Sequence, residues 1–294
     1  MLPTMLKEQL KRLLQERHFE AAAEQFLAAA KPSIRLQGCS EADPDRAPFS
    51  RLGGLPEMPA SVEWPRSDTR PLSFLGQLAL SEFRSFDAAP LLPERGRLYF
   101  FCDLEEFHDG WTHENTPWWR VIFVEDEAAP VSTVSPPEGL KPDVILSTLP
   151  VILRQELTLP APRSIEMDRL PDLGENWEPY WDLQTELSSA WVSDSARHRV
   201  MGHPDAVQGC MQRTAQFISH QAYLPADVYS FYEHERAAEL MPGAHDWVLL
   251  LQVDSDMRLS NSYFGDAGTL FFWIHRDDLA ARRFEKVWFF MQCT

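Results

Sequence analysis

The sequence has few cysteines and no long apolar stretch. Only four of its 294 residues are cysteines, and no two of them form a C-x-x-C motif, so the chain lacks the spacing of a zinc site or a redox-active dithiol. Such isolated cysteines are typical of a reducing compartment. No stretch reaches the roughly 18 apolar residues that a membrane span needs. Because Lys7, Lys11 and Arg12 interrupt the N-terminal apolar residues, we expect no export signal and a cytoplasmic protein.

Basic residues are scarce relative to acidic ones. The chain has 27 Lys and Arg against 44 Asp and Glu, which gives a formal net charge of −17. This charge repels nucleic acid backbones and anionic lipid surfaces, so neither is expected as a partner. It attracts basic proteins and speeds their association, so a basic protein is the expected partner. Alternatively, the negative charge has no specific partner, because acidic surfaces are common among soluble proteins.

The motifs of common enzyme classes are also missing. There is no G-x-G-x-x-G, Walker or G-x-S-x-G sequence. The triplet 275–277 reads HRD, as in a kinase catalytic loop, but Arg282 stands where the metal-binding Asn belongs. His234 and Glu235 begin a zincin motif that Ala238 breaks. We therefore predict no catalytic residues and no cofactor, and an enzyme remains an alternative only with an unrecognised site.

Two loop segments carry the side-chain types that bind divalent metals. One contains His108 and His113, five positions apart, and this spacing does not bring two imidazoles to one ion. The other contains Asp254, Asp256 and Asp266 but lacks the Gly and terminal Glu of a calcium loop. Aspartates at turns commonly bond to local backbone groups. We therefore predict no bound metal.

Three apolar segments in the middle of the chain recur near its end in the same order. The pairs are FLGQL (74–78) and LLLQV (249–253), GRLYFF (96–101) and GTLFFW (268–273), and WRVIF (119–123) and KVWFF (286–290). The third pair aligns Val121 with Val287. Short aromatic and β-branched segments of this kind predict strands, so the pattern predicts a duplicated three-strand unit.

This pattern predicts an α+β fold with internally duplicated, mainly antiparallel β units packed with helices. Residues 1–48 are predicted to form an N-terminal helix and a connecting segment, and the helix is amphipathic over 5–30, because leucines recur at helical spacing. The main domain, 49–294, has a first β unit at about 49–128 and a second at about 246–294. The connection, about 129–245, is rich in proline at first, and helices are predicted later at 178–191, 211–222 and 229–240.

Gln77 and Gln252 occupy matching positions inside the apolar strands of the two units. A buried amide must find hydrogen-bond partners. Either the two amides contact a ligand in a cleft between the units, or each bonds to loop backbone near Gly54 or Gly202; we favour the second.

Several segments together resemble the YwqG-like proteins, a bacterial-centred family whose domain has no assigned function. They are GGLP (53–56), WP (64–65), PLSFLGQ (71–77), GRLYFF (96–101), GHP (202–204) with Gln208, LLQVDSD (250–256) and GDAGTLFFWI (265–274). The resemblance covers about residues 49–294 and implies a duplicated α+β fold without an established activity. The candidate binding residues are Gln77, Gln252, Trp64, His203, Gln208, Asp254, Asp256 and Asp266.

Members of that family occur near toxin and immunity genes, so the resemblance implies an immunity or interaction protein. Together with the acidic charge, this favours a non-enzymatic module that binds a basic protein such as a toxin. The alternatives are a small-ligand-binding protein with an aromatic cleft between the repeats, and the enzyme with an unrecognised site.

Overall fold

A computed structural model describes residues 4–39, 49–162, 164–173, 177–191, 195–222, 230–260 and 263–293. The strands are β1 (Lys31–Gly38), β2 (Arg51–Leu52), β3 (Glu57–Met58), β4 (Ser73–Ala79), β5 (Arg97–Cys102), β6 (Trp119–Val124), β7 (Ser132–Thr133), β8 (Leu149–Thr158), β9 (Arg199–Val200), β10 (Trp247–Asp254), β11 (Thr269–His275) and β12 (Trp288–Gln292). The helices are α1 (Thr4–Glu16), α2 (Ala23–Ala29), α3 (Trp177–Trp191), α4 (Met211–Ser219), α5 (Ala237–Leu240) and α6 (Arg276–Ala280). The predicted α+β fold class is confirmed.

Most strands form one antiparallel sheet whose order is similar from either edge. The order is β12-β11-β10-β9-β1-β8-β2-β4-β5-β6, and β3 and β7 form a separate ribbon. At each edge lies a three-strand meander, followed inward by a two-residue strand, and the two long strands β1 and β8 pair in the centre. We call β4-β5-β6 with β2 the first half of the sheet, and β10-β11-β12 with β9 the second half.

The two halves also correspond in register. The first hairpin of each half has a bulge, between Phe74 and Gly76 in one and between Leu249 and Leu251 in the other. Phe74 pairs with Phe101, and Leu249 pairs with Trp273. The first two sequence pairs therefore align as predicted.

The third predicted pair is misaligned by two residues. Val121 pairs with Phe100, whereas the residue that pairs with the matching Phe272 is Phe289. Alignment of Val121 with Val287 is therefore wrong. Val287 follows a 3-10 turn, and β12 begins only at Trp288.

The two halves pack against each other through aromatic side chains. The ring centroids of Phe100 and Phe272 are 5.2 Å apart, and Trp119 stacks on Phe289 at 5.8 Å. Trp119 also donates a hydrogen bond from Nε1 to the carbonyl oxygen of Val287 at 2.8 Å. These contacts lie in one apolar cluster that includes residues of both halves, so the halves share a core.

The helix predicted over residues 5–30 is divided in the structure. α1 ends at Glu16, His18 has a φ of 61°, and α2 begins at Ala23. The leucines of α1 are buried with Tyr180 of α3 in a separate apolar cluster. None of the helices among the described residues is long and apolar enough to cross a bilayer.

The segment predicted as a connection after this helix contains a central strand. β1 lies between β8 and β9 and pairs with β8 from Lys31 to Gly38. The N-terminal segment therefore contributes directly to the sheet. Later in the chain, the helix predicted at 178–191 is α3, the one at 211–222 ends at Ser219, and that at 229–240 is a 3-10 turn followed by α5, with residue 229 outside the described residues.

Candidate functional site

Two turns of matching sequence follow the short strands β2 and β9. Residues 51–57 read RLGGLPE, and residues 199–205 read RVMGHPD. Gly54 and Gly202 have φ angles of 74° and 81°, in the left-handed region that disfavours other residues. A Cβ on Gly54 would lie 2.4 Å from the hydroxyl oxygen of Thr148. A Cβ on Gly202 would lie 2.6 Å from the Cβ of Ser33 in β1. Close packing therefore requires glycine in both turns.

The two buried glutamines each hold one of these turns. Gln77 accepts a hydrogen bond at Oε1 from the N–H of Glu57 at 2.9 Å, and Gln252 accepts one from the N–H of Asp205 at 3.0 Å. Each Nε2 donates to the backbone carbonyl two residues before its turn, at 3.0 and 2.9 Å. Each Nε2 also donates to the turn's carboxylate. The amides therefore bond within their own halves and do not meet in a shared cleft.

Buried ion pairs join the second turn to the centre of the sheet. Glu156 of β8 accepts a hydrogen bond from Arg35 Nε at 2.9 Å and forms an ion pair with Arg199, whose Nε lies 3.0 Å away. Arg199 also contacts the Asp205 carboxylate at 2.9 Å. Arg35, Glu156 and Arg199 are 0, 0 and 2% exposed. This network fixes the arrangement of β1, β8 and β9.

The candidate aspartates of the second half lie in separate local environments. Asp254 accepts a hydrogen bond from the Thr269 hydroxyl at 2.7 Å. Asp256 contacts His198 Nε2 at 3.0 Å and accepts hydrogen bonds from an arginine two residues later. Burial opposes ionisation of Asp256, but these two partners hold its pKa well below its usual range. Asp266 is exposed in the turn before β11. The structure therefore does not bring the three carboxylates together.

The other polar candidates, His108, His113 and Gln208, either make structural contacts or are exposed. His108 stacks on Trp118 with centroids 4.1 Å apart, while His113 is exposed. Gln208 is exposed, and its backbone N–H and carbonyl are bonded to the Gln292 side chain. Within the ranges that the structure describes, no three His, Cys, Asp or Glu side chains are placed to hold a metal ion. The absence of a metal stays a prediction.

Trp64 fills one face of the first half. Its ring lies 5.5 Å from that of Phe101, and its Nε1 donates to the Leu72 carbonyl oxygen at 2.8 Å. Both contacts belong to an apolar cluster on the face of β5 that alternates with the Phe100 face. The candidate Trp64 is therefore a packing residue of the first half.

The corresponding face of the second half contains a cavity. By the register of the two halves, the counterparts of Leu72 and Phe101 are Trp247 and Trp273, and both line a cavity of about 270 Å³. His203 also lines it and occupies the position that Leu55 has in the first turn. The other walls include Lys31, Pro32, Asp87, Ala88, Pro90, Leu91, Glu166, Met201, Pro204, Val248, Leu249 and Arg276.

A charged cluster forms the polar part of this cavity. Lys31 Nζ lies 2.6 Å from Glu166 Oε1, and Gln212 Nε2 donates to the same oxygen at 3.1 Å. Burial by itself would raise the pKa of Glu166, but these positive and donor groups hold it below its usual range. Glu166 is therefore an ionised carboxylate whose charge is balanced by Lys31.

His203 presents a neutral imidazole to Glu166. Its Nε2 lies 2.8 Å from the carbonyl oxygen of Ala29, so Nε2 carries the proton and donates it. Burial, assisted by the charge of Lys31, lowers the pKa of His203, so the ring is neutral at neutral pH. Its Nδ1 is therefore an acceptor, and it lies 3.8 Å from the nearer Glu166 oxygen.

Three residues of the cavity wall carry buried polar atoms without a hydrogen-bond partner among the described residues. These atoms are the acceptors Glu166 Oε2 and His203 Nδ1 and the donor Trp273 Nε1. A buried polar atom without a partner costs about 1–3 kcal/mol. The three atoms together can satisfy a molecule that offers both donors and an acceptor. All three atoms are buried in the structure.

We expect His203→Leu, which installs the first-turn residue, to flatten the acid dependence of stability. In the unfolded chain His203 becomes protonated below about pH 6.5. In the folded chain its pKa is lowered to about 3, so it stays neutral until the pH is much lower. From about pH 7.5 to pH 5, urea unfolding should therefore show the natural chain losing about 2 kcal/mol more than the variant. The exposed His113→Gln variant should match the natural chain. Equal losses in all three would show that His203 titrates normally.

Sequence reasoning found His203 and missed Glu166, Lys31 and the two tryptophans of the cavity. A signal for the tryptophans was present in the repeat, since Trp247 and Trp273 differ from their counterparts Leu72 and Phe101. Positions at which two matched units differ are where one unit can acquire a separate role. Glu166 and Lys31 lie outside both repeats, and only the tertiary structure brings them to the cavity.

Comparisons with known proteins identify the family. A search of curated proteins found no match to this chain. The sequence model of one family, described as a domain of unknown function, matches residues 50–293. This range includes every described strand of the sheet except β1, and it includes the two matching turns. The chain therefore belongs to the family of the domain of unknown function DUF1963.

Proposed function

We propose that this protein binds a small molecule in the cavity beside Trp247 and Trp273. The observation that carries the proposal is that three residues lining one cavity, Glu166, His203 and Trp273, each have a buried polar atom without a hydrogen-bond partner among the described residues. Small-molecule sites are typically apolar cavities with a few polar groups that fix orientation. A bound molecule would recover the hydrogen bonds that these atoms lack in the free protein.

The comparison of the two halves supports this proposal. The first half fills the equivalent position with its own Trp64, whose Nε1 is satisfied by a backbone carbonyl. The second half leaves a cavity, and its Trp273 Nε1 has no partner among the described residues.

Three further proposals concern the whole chain. We propose that the two halves derive from a duplicated unit, that 49–294 is a single YwqG-like domain, and that the protein is cytoplasmic.

We expect Trp273→Phe to be better tolerated than the matched variant Trp64→Phe. Both changes remove the same ring atoms, but only Trp64→Phe breaks a hydrogen bond, while Trp273→Phe removes an unsatisfied donor. Urea unfolding should show the Trp273 variant to be the more stable of the two by about 2 kcal/mol. If Trp273→Phe costs as much as Trp64→Phe, the Trp273 N–H is already satisfied and the carrying observation fails.

Binding itself can be tested with neutral probes on the full chain. Phenol, benzamide, benzimidazole and cyclohexanol, screened by ligand-observed NMR, differ in ring type and in hydrogen-bonding groups. At least one should bind, and Leu249→Phe should weaken it about tenfold or more, because the larger ring, present as Phe74 in the first half, fills the cavity. Trp64→Phe should leave its affinity unchanged. Binding that is unaffected by Leu249→Phe would place the site elsewhere and overturn the proposal.

Binding to a basic protein such as a toxin stays a hypothesis that rests on the net charge of −17. Electrostatic steering would make the association rate fall as salt screens the charge. Capture of one defined basic protein, with affinity unchanged by Leu249→Phe, would favour that function over the cavity. An enzymatic function would need a reacting group, and the cavity holds a neutral histidine of depressed pKa and a carboxylate paired with Lys31.

A further inference from the structure

The first half of the sheet provides an internal template for what the cavity of the second half binds. Trp64 places a flat bicyclic ring against Phe101 and donates from Nε1 to the Leu72 carbonyl oxygen. The equivalent wall of the second half is made by Trp273 and Trp247. A ring of indole size is therefore the natural occupant of this position in the fold.

The size of the cavity agrees with this template. An engineered cavity of about 150 Å³ holds benzene, and the cavity beside Trp273 has a volume of about 270 Å³. The Trp247 carbonyl oxygen receives a long side-chain contact of 3.5 Å from Gln212 Nε2, whereas its counterpart in Leu72 accepts a side-chain hydrogen bond from Trp64 at 2.8 Å. The volume of the cavity is therefore large enough for a bicyclic ring.

The polar atoms of the wall define which bicyclic ring fits. His203 Nδ1 and Glu166 Oε2 need a donor, and Trp273 Nε1 needs an acceptor. Lys31 balances the charge of Glu166, and the two other charged residues of the wall, Asp87 and Arg276, have opposite signs, so the lining has no net charge that would favour an ionic ligand. The overall charge of −17 also opposes anions such as nucleotides.

We infer that the cavity binds a neutral, flat, bicyclic nitrogen heterocycle that has both an N–H donor and a ring-nitrogen or carbonyl acceptor. This class includes the free purine bases and benzimidazoles. The inference rests on the proposed small-molecule function and names its ligand class. In the complex, the N–H donates to His203 or Glu166, the acceptor binds Trp273 Nε1, and the ring packs against Trp247.

Calorimetry with three matched probes on the full chain tests the inference. Benzimidazole has the donor and the acceptor, 1-methylbenzimidazole lacks the donor, and indole lacks the acceptor. Benzimidazole should bind at least about tenfold more tightly than either, because each missing group leaves a buried partner unsatisfied. In Trp273→Phe the advantage over indole should disappear while that over 1-methylbenzimidazole remains. Trp64→Phe should preserve both differences.

The outcomes separate the ligand class from the proposed function. Equal affinities for all three probes would mean that the cavity selects only for apolar surface, and would overturn the inference. If none of the three binds but another neutral probe does, and Leu249→Phe weakens it, the ligand class is wrong and the small-molecule function stands. If no probe binds in either experiment, both proposals are overturned.

Discussion

Glu156→Gln is expected to reduce the free energy of unfolding by about 3–5 kcal/mol. Glu156 is fully buried and contacts both Arg35 and Arg199, which are buried as well. The amide keeps the shape of the carboxylate but removes its charge, so Arg35 loses its carboxylate partner and Arg199 is left with Asp205. Removing one member of a buried ion pair is costly because water cannot reach the charge that remains.

Urea denaturation of the natural chain and the Glu156→Gln variant measures this loss. The control is Glu239→Gln, which breaks the exposed ion pair with Arg236 and should change stability by less than about 1 kcal/mol. The side chain of Glu239 is 60% exposed, so solvent already screens its charge. If Glu156→Gln costs no more than this control, the central network does not hold β1, β8 and β9 together.

Phe272→Ala is expected to cost about 3–5 kcal/mol and to preserve a single unfolding transition. Phe272 is completely buried and contacts Phe100 of the first half at 5.2 Å and Phe289 at the same centroid distance. The substitution leaves a void in the core that the two halves share. Because each three-strand meander relies on the other to cover this face, we expect both halves to unfold together.

Thermal and urea unfolding, followed by fluorescence and by circular dichroism, measure both parts of this prediction. Tyr263→Ala is the matched control, because Tyr263 is 53% exposed and its loss leaves no internal void. It should change stability by less than about 1 kcal/mol. Two separated transitions in Phe272→Ala, with the first half still folded after the second has melted, would show that the halves are independent.

The strands of both halves could be predicted because their signal is local. Segments such as 97–101 contain consecutive apolar residues, and the structure buries Leu98, Tyr99, Phe100 and Phe101 completely. The recurring order of three segments also predicted matching meanders, which the sheet contains. The alignment of Val121 failed because two neighbouring apolar residues, Val287 and Phe289, are equally plausible partners until the start of β12 is known.

Helix boundaries and the central strands were harder to predict from the sequence. The helix predicted over 5–30 is interrupted at His18, where the backbone turns so that Phe19 and Phe26 can pack on Tyr180. β1 was not predicted, because its charged residues Lys31 and Arg35 conceal a strand that is buried in the sheet centre. The carboxylate of Glu156, distant in sequence, offsets the cost of burying the Arg35 guanidinium, together with hydrogen bonds to Ala196 and Ser188.

The sequence alone determined the α+β class, the two meanders and the matched glutamines, since strand periodicity and repeated segments are properties of neighbouring residues. Tertiary structure decided what those residues do. It showed that Gln77 and Gln252 hold turns, and it brought Lys31, Glu166 and His203 to the wall that Trp247 and Trp273 form. A cavity depends on contacts between residues far apart in the chain. No local sequence pattern encodes such contacts, so only the tertiary structure defines the cavity and its lining.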